Sequence, residues 1–177
     1  APAFTDEQIQ TLGAGTDWQA AAFRRAPVQN HQVTISGGDD KTRYAISGNY
    51  YSQDGVLQNT DFDRYSVRLN LDRIVSEKFK TGVTFSASKT SAQVADNSVI
   101  STLLLIPPTV KIYDSTGKFN IRSPYEVALG NPINTLYNAI NQTNTYRLLG
   151  NFYAEYRIIE GLTAKVTAGA DIINNKQ

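Results

Sequence analysis

Residues 62–72 read Phe62-Asp63-Arg64-Tyr65-Ser66-Val67-Arg68-Leu69-Asn70-Leu71-Asp72. From Arg64 onward the residues alternate. Tyr65, Val67, Leu69 and Leu71 fall on one side, and Arg64, Ser66, Arg68, Asn70 and Asp72 on the other. Only a β-strand sorts positions i, i+2 and i+4 onto one face; a helix of this sequence would mix arginines with leucines. The run is also long. Average strands have about five or six residues, whereas a tilted strand crossing a bilayer needs about nine to eleven.

The same pattern recurs on both sides of this stretch. Upstream, Val33 and Ile35 alternate with Gln32, Thr34 and Ser36, and Tyr44, Ile46, Gly48 and Tyr50 with Arg43, Ala45, Ser47 and Asn49. Downstream, Phe79, Thr81, Val83, Phe85 and Ala87 oppose Lys80, Gly82, Thr84, Ser86 and Ser88. Further on, Leu148, Gly150, Phe152, Ala154 and Tyr156 oppose Arg147, Asn151, Tyr153, Glu155 and Arg157. Last, Leu162, Ala164, Val166, Ala168, Ala170 and Ile172 oppose Thr163, Lys165, Thr167, Gly169 and Asp171. The expectation is an all-β fold of six antiparallel strands.

The connections alternate in length. Gly37-Gly38-Asp39-Asp40, Ser76-Glu77-Lys78 and Glu160-Gly161 are tight turns. Residues 52–61, a polar loop containing Asp54-Gly55, and 90–145 are long connections. Short turns on one side and long loops on the other are the asymmetry of an outer-membrane barrel. The spacing thus predicts an antiparallel transmembrane β-barrel segment. Tyr44, Ile46, Val67, Leu69, Val83, Phe85, Phe152, Tyr156 and Val166 should face lipid. The charged residues Arg43, Arg64, Arg68, Lys80, Arg147, Glu155, Arg157, Lys165 and Asp171 should face a lumen. Tyr50, Tyr51, Phe62 and Tyr65 are the expected aromatic girdle.

Four divisions follow: an extracellular loop with short helices over 1–27, four barrel strands over 28–89, a long extracellular loop over 90–145, and two barrel strands over 146–177. In the first, Thr5 with Gln8 fits a capping box, and Asp17 is placed to cap a helix from Trp18 to Arg24, ended by Pro27. In the third, a helix is expected over 99–106. It is followed by Pro107-Pro108, a turn at Asp114-Ser115-Thr116-Gly117, and Asn131-Pro132. A connection this long is normally a functional loop or a folded insertion. Its aromatics Tyr113, Phe119, Tyr125 and Tyr137, with the rigid prolines, suit a preorganised binding surface.

Composition is compatible with this. Of the 177 residues, 19% are charged, against about 25% for soluble domains. A net charge of +1 gives no case for nucleic acid. Ten Tyr, seven Phe and one Trp suit a membrane interface. The absence of Cys excludes disulfide scaffolds and thiolate zinc sites. The longest apolar run, Leu103 to Ile106, is far short of the roughly 20 residues of a spanning helix. Ala1-Pro2-Ala3-Phe4 carries no signal-peptide pattern.

No chemistry-bearing constellation emerges, so no catalytic, cofactor or metal residues are assigned. His31, the one histidine, sits at the start of a strand without the serine and carboxylate of a triad. Asp114-Ser115-Thr116-Gly117 resembles an aspartic protease loop, but a second copy is lacking. Gly13-Ala14-Gly15 is followed by Trp18 where a dinucleotide fingerprint needs glycine. Asp39-Asp40 has no calcium-loop spacing. Asn141-Gln142-Thr143 matches a glycosylation acceptor. Trp18 is a candidate for stacking on a sugar, with packing inside its own loop as the alternative.

An ordered series of short motifs carries a resemblance. Gly15-Thr16-Asp17-Trp18-Gln19, Phe23-Arg24, Ala26-Pro27-Val28-Gln29-Asn30-His31 and Ser36-Gly37-Gly38 look like the opening of the barrel in SusC/RagA-type TonB-dependent transporters. Lys41-Thr42-Arg43-Tyr44, Ser47-Gly48-Asn49-Tyr50, Phe62-Asp63-Arg64-Tyr65 and Arg68-Leu69-Asn70-Leu71-Asp72 continue it. So do Tyr113-Asp114, Gly117-Lys118-Phe119, Asn131-Pro132 and Gly150-Asn151-Phe152.

The resemblance implies a share of a plugged barrel of about 22 strands that imports glycans or peptides across the bacterial outer membrane. It also implies a SusD-like surface lipoprotein as lid. The TonB complex would act through an N-terminal region, plug and interaction box, that this chain is expected to lack. Lumen arginines are expected to pair with acids of that plug, with contact to substrate as the alternative. A passive porin-like or structural barrel is the alternative. A barrel hydrolase would need a serine–histidine pair near the rim, and none is offered.

Overall fold

The computed structural model describes residues 4–121 and 129–177. Tyr125, expected among the loop aromatics, lies outside them. The chain divides into a sheet unit, residues 27–54, 61–92 and 142–177, and a helical unit, residues 1–26, 55–60 and 93–141.

The sheet unit holds the six expected strands: β1 (Val28–Gly38), β2 (Thr42–Asp54), β3 (Asp61–Ile74), β4 (Phe79–Gln93), β5 (Gln142–Ile159) and β6 (Leu162–Lys176). They form one sheet in chain order, β1-β2-β3-β4-β5-β6. Register confirms the alternation. Apolar residues face apolar across each ladder: Ile35 opposite Ile46, Ile46 opposite Leu69, Tyr44 opposite Leu71, Leu148 opposite Ile172, Ala154 opposite Val166. Polar residues face polar: Gln32 opposite Asn49, Arg43 opposite Asp72, Glu155 opposite Lys165. A one-residue slip would reverse every one of these matches.

Among the described residues, no second layer covers the apolar face. Val33 is 68% exposed and Val166 67%, and Ile46, Val67, Phe85, Phe152 and Tyr156 are all exposed. Left uncovered in water, such a face would cost about 25 cal/mol for each Å². No strand among the described residues pairs with the outer edge of β1 or of β6.

Two boundaries differ from expectation. β4 runs past Lys89 to Gln93, and β5 begins at Gln142 rather than Tyr146. Residues 90–93 and 142–145 have no apolar alternation. The start of β5 is strand because it pairs across the ladder, Asn144 opposite Lys176 and Thr145 opposite Asn175, and the Gln142 side-chain amide also donates to the Ser91 hydroxyl at 3.2 Å.

The helical unit gathers three separate stretches of chain: before β1, between β2 and β3, and between β4 and β5. Its helices are α1 (Asp6–Leu12), α2 (Trp18–Ala22), α3 (Ser98–Leu105) and α4 (Pro132–Asn138). The capping box on α1 forms as expected, with the Gln8 amide donating to the Thr5 hydroxyl and the Thr5 amide to the Gln8 side chain. Asp17 caps α2, but α2 stops before Phe23 rather than at Arg24. Phe23 pairs with Leu57 in a β-bridge, and the Arg24 amide donates to the Val56 carbonyl at 2.8 Å. This bridge ties residues 55–60 to the first stretch. The Arg24 guanidinium adds two more bonds, to the Gly55 and Thr60 carbonyls at 3.1 and 2.9 Å.

The buried core lies in this unit: Trp18, Ala22, Val99, Leu103, Ile106, Val110, Ile133 and Leu136. Gly15 makes one of its close approaches possible. It has φ +75°, and a Cβ there would come within 2.7 Å of the Pro108 carbonyl oxygen, which also accepts the Thr16 amide at 2.7 Å. Gly15→Ala combines left-handed backbone strain with a backbone clash, so it should destabilise the unit by about 1–3 kcal/mol. Proteolysis of the full-length protein at sites in 1–26 and 93–141 should accelerate accordingly, while Gly13→Ala, with open space around its Cβ, should cost less.

Candidate functional site

Two surfaces carry groups that can recognise something. The first is the polar face of the sheet, where the charged residues predicted for a lumen assemble. The Arg147 guanidinium grips Asp171 with two parallel bonds of 2.9 and 2.6 Å. That partner lies on the adjacent strand, β6. Arg64 lies over the Tyr51 ring at 5.7 Å, and Lys165 over the Tyr153 ring at 4.7 Å.

Tyr153 itself spans three strands. Its hydroxyl donates to Asp72 on β3 at 2.7 Å, while its backbone carbonyl on β5 accepts from Thr81 on β4 at 2.8 Å. The ring passes over Gly82, where any Cβ would collide with the ring and with the Asp72 carboxylate. A glycine under a flat aromatic ring lets one tyrosine bind three strands together. Arg43, Asp72, Arg73, Lys80 and Tyr153 line a polar recess beside the turns.

The expected aromatic girdle divides between the faces, because adjacent residues of a strand point oppositely. Tyr50 and Tyr65 stack on the apolar face with ring centres 4.8 Å apart, and Tyr51 and Phe62 meet edge-on at 5.9 Å on the polar face. His31 belongs with the first pair, parallel to the Tyr50 ring at 6.3 Å.

The second surface is on the helical unit. The Tyr113, Phe119 and Tyr137 rings form a ladder, with centres 5.1 and 6.2 Å apart and nearly parallel planes. Tyr113 and Tyr137 are 50% and 47% exposed. The turn below holds the ladder. Asp114 accepts from the Thr116 hydroxyl at 2.7 Å and from the Thr116 and Lys118 amides at 2.8 and 3.0 Å. These donors, the Thr116 hydroxyl first, keep the Asp114 carboxyl below the usual carboxylate range. Gly117 completes the turn at φ +81°.

The other singled-out residues are structural. Asp39 accepts the Lys41 and Thr42 amides and shapes its turn. Trp18 is 4% exposed, with its indole N–H on the Pro107 carbonyl at 3.2 Å. It is core, and the sugar-stacking reading of Trp18 is withdrawn.

No family model matches the chain. It is 33% identical over 183 residues to TonB-dependent receptor P3 of Formosa agariphila, an alignment covering 94% of this chain and 18% of that protein. It is 30% identical over 116 residues to TonB-dependent receptor SusC of Bacteroides thetaiotaomicron, covering 63% of this chain and 11% of SusC. The solved structure of the RagAB peptide importer in the open-open state superposes with a TM-score of 0.75 at 27% identity, over 91% of this chain and 19% of that one. The chain thus spans about a fifth or less of the proteins it matches. The sequence identity to these receptors and the superposition of the six-stranded sheet on the RagAB importer place it: the chain belongs to the SusC/RagA-type TonB-dependent transporters, as a stretch of their barrel wall.

Proposed function

We propose that this chain serves in an outer-membrane importer that takes up large nutrients, oligosaccharides or peptides, driven by the TonB complex and closed by a SusD-like surface lipoprotein. The apolar face meets lipid and the polar face lines the lumen. The three tight turns are periplasmic. The stretches 1–26, 55–60 and 93–141 are extracellular, and they form the surface that meets the lid or the incoming nutrient.

The observation that carries this reading is the helical unit itself. Sealing a barrel mouth needs only loops. Here three stretches distant in sequence share one core and present a rigid, half-exposed ladder of Tyr113, Phe119 and Tyr137. Rigid aromatics bind with little entropy to lose, which suits a contact that forms and releases.

The test is Tyr113→Ser with Tyr137→Ser in the full-length transporter, leaving the partly buried Phe119 in place. Lipoprotein co-purification and nutrient uptake should fall about tenfold, in keeping with one or two lost aromatic contacts, with normal barrel assembly. Unchanged association and uptake would reduce the ladder to filler. Diffusive uptake without the TonB complex would favour the passive barrel.

A further inference from the structure

Lys89 stands on the wrong face for a lysine. Counting along β4, Phe79, Thr81, Val83, Phe85, Ala87 and Lys89 share the apolar face. Across the six strands, that face carries two Asp, Glu, Lys or Arg side chains clear of the last two residues at either strand end: Asp63 and Lys89. Asp63 is accounted for, because it accepts the Tyr50 hydroxyl at 3.2 Å. Lys89 makes no ion pair among the described residues. Its ammonium lies over the Tyr146 ring at 5.8 Å.

The surroundings of Lys89 are shaped. Tyr65, Val67, Ala87, Lys89, Tyr146 and Leu148 line a shallow groove along β3, β4 and β5. Its lining combines the aliphatic Val67, Ala87 and Leu148 with the two tyrosines and the lysine. A cation over a tyrosine ring beside an apolar trough matches the polarity of an amphiphile with an anionic head.

We propose that this groove binds one anionic, phosphate-bearing lipid, with an acyl chain on Val67, Ala87 and Leu148 and the phosphate on the Lys89 ammonium beside Tyr146. The proposal rests on the reading that the apolar face meets lipid. Cationic side chains near a charged membrane surface gain attraction, and the phenolic rings suit headgroup level. A lysine that merely stretched toward water would need neither the trough nor the Tyr146 ring under its ammonium.

The test uses the full-length transporter in detergent, offered equal amounts of phosphatidylglycerol and phosphatidylcholine with identical acyl chains. Retained lipid is counted by native mass spectrometry. Because the rest of the barrel is common to all samples, the readout is the difference between variants. Lys89→Gln should lower the phosphatidylglycerol preference about fivefold relative to wild type, and Lys89→Arg should keep it. An unchanged preference in Lys89→Gln overturns the proposal. Insertion into liposomes is scored separately. A transporter that inserts and shows no Lys89-dependent preference loses only the lipid site, whereas one that fails to insert loses the membrane reading too.

Discussion

Placing arginine at position 152 of the full-length transporter should abolish most barrel assembly, while arginine at position 151 should be tolerated. The two residues are neighbours on β5, and only their faces differ. Phe152 pairs with Ala168 on the bare apolar face and is exposed there. A cation on a lipid-facing position costs about 2–4 kcal/mol near the bilayer midplane, and the lost phenyl contact adds to that. This lowers the folded population by roughly 30-fold or more. Asn151 pairs with Gly169 on the polar face, where the glycine leaves room for a longer side chain and Asp171 is two residues away on the same face of β6. Surface substitutions of that kind stay within about 0.5 kcal/mol. Heat-modifiable migration of the outer-membrane fraction reads the outcome. Normal assembly of Phe152→Arg with failure of Asn151→Arg would show the faces to be reversed.

How much of this was legible in the sequence follows from where the information lies. Strand identity is local: Tyr65, Val67, Leu69 and Leu71 declare a face without reference to any other part of the chain, so all six strands could be read. Strand ends are not local. Ser91, Gln93 and Gln142 belong to strands because of the residues across the ladder, and nothing in their own neighbourhood says so. α4 was missed although its signals were present. Asn131 is an N-cap, Pro132 occupies the first turn, and Ile133 and Leu136 are three apart on the buried side. The assembly of the helical unit was beyond sequence reading for a deeper reason. Trp18, Leu103 and Leu136 meet in one core, and contacts between such distant positions leave no periodic trace. Trp18 was consequently open to a ligand-binding reading that only its burial could remove.

The second large effect is expected at Asn131, the buried polar side chain of the helical unit, 4% exposed. All of its hydrogen-bonding capacity is used. Its side-chain oxygen caps α4 by accepting the Ile133 and Asn134 amides at 3.0 and 3.2 Å. Its side-chain NH₂ donates to the Ile112 and Asn120 carbonyls at 2.8 and 3.1 Å, which straps residues 112–120 to the start of that helix. The cap and the strap can be separated. Asn131→Asp keeps a good N-cap, since aspartate caps as well as asparagine and favours a helix N-terminus. It replaces the two donors by a carboxylate pressed against two carbonyl oxygens in a buried site. Asn131→Ala loses both functions. The alanine variant should cost about 2–3 kcal/mol, from the cap at about 1 and two half-buried carbonyls that each lose a donor at about 0.5–1 each, the Ile112 carbonyl keeping the Asn120 amide. The aspartate variant should cost nearly as much if the strap dominates. Limited proteolysis of the full-length transporter within 93–141, with heat-modifiable migration as the check on the barrel, measures both. If Asn131→Asp resists protease like the wild type, α4 capping is the whole contribution and residues 112–120 are held by packing alone. If both variants open, the aromatic ladder of Tyr113 and Phe119 loses its support, and lipoprotein association should fall with it while the strands remain assembled.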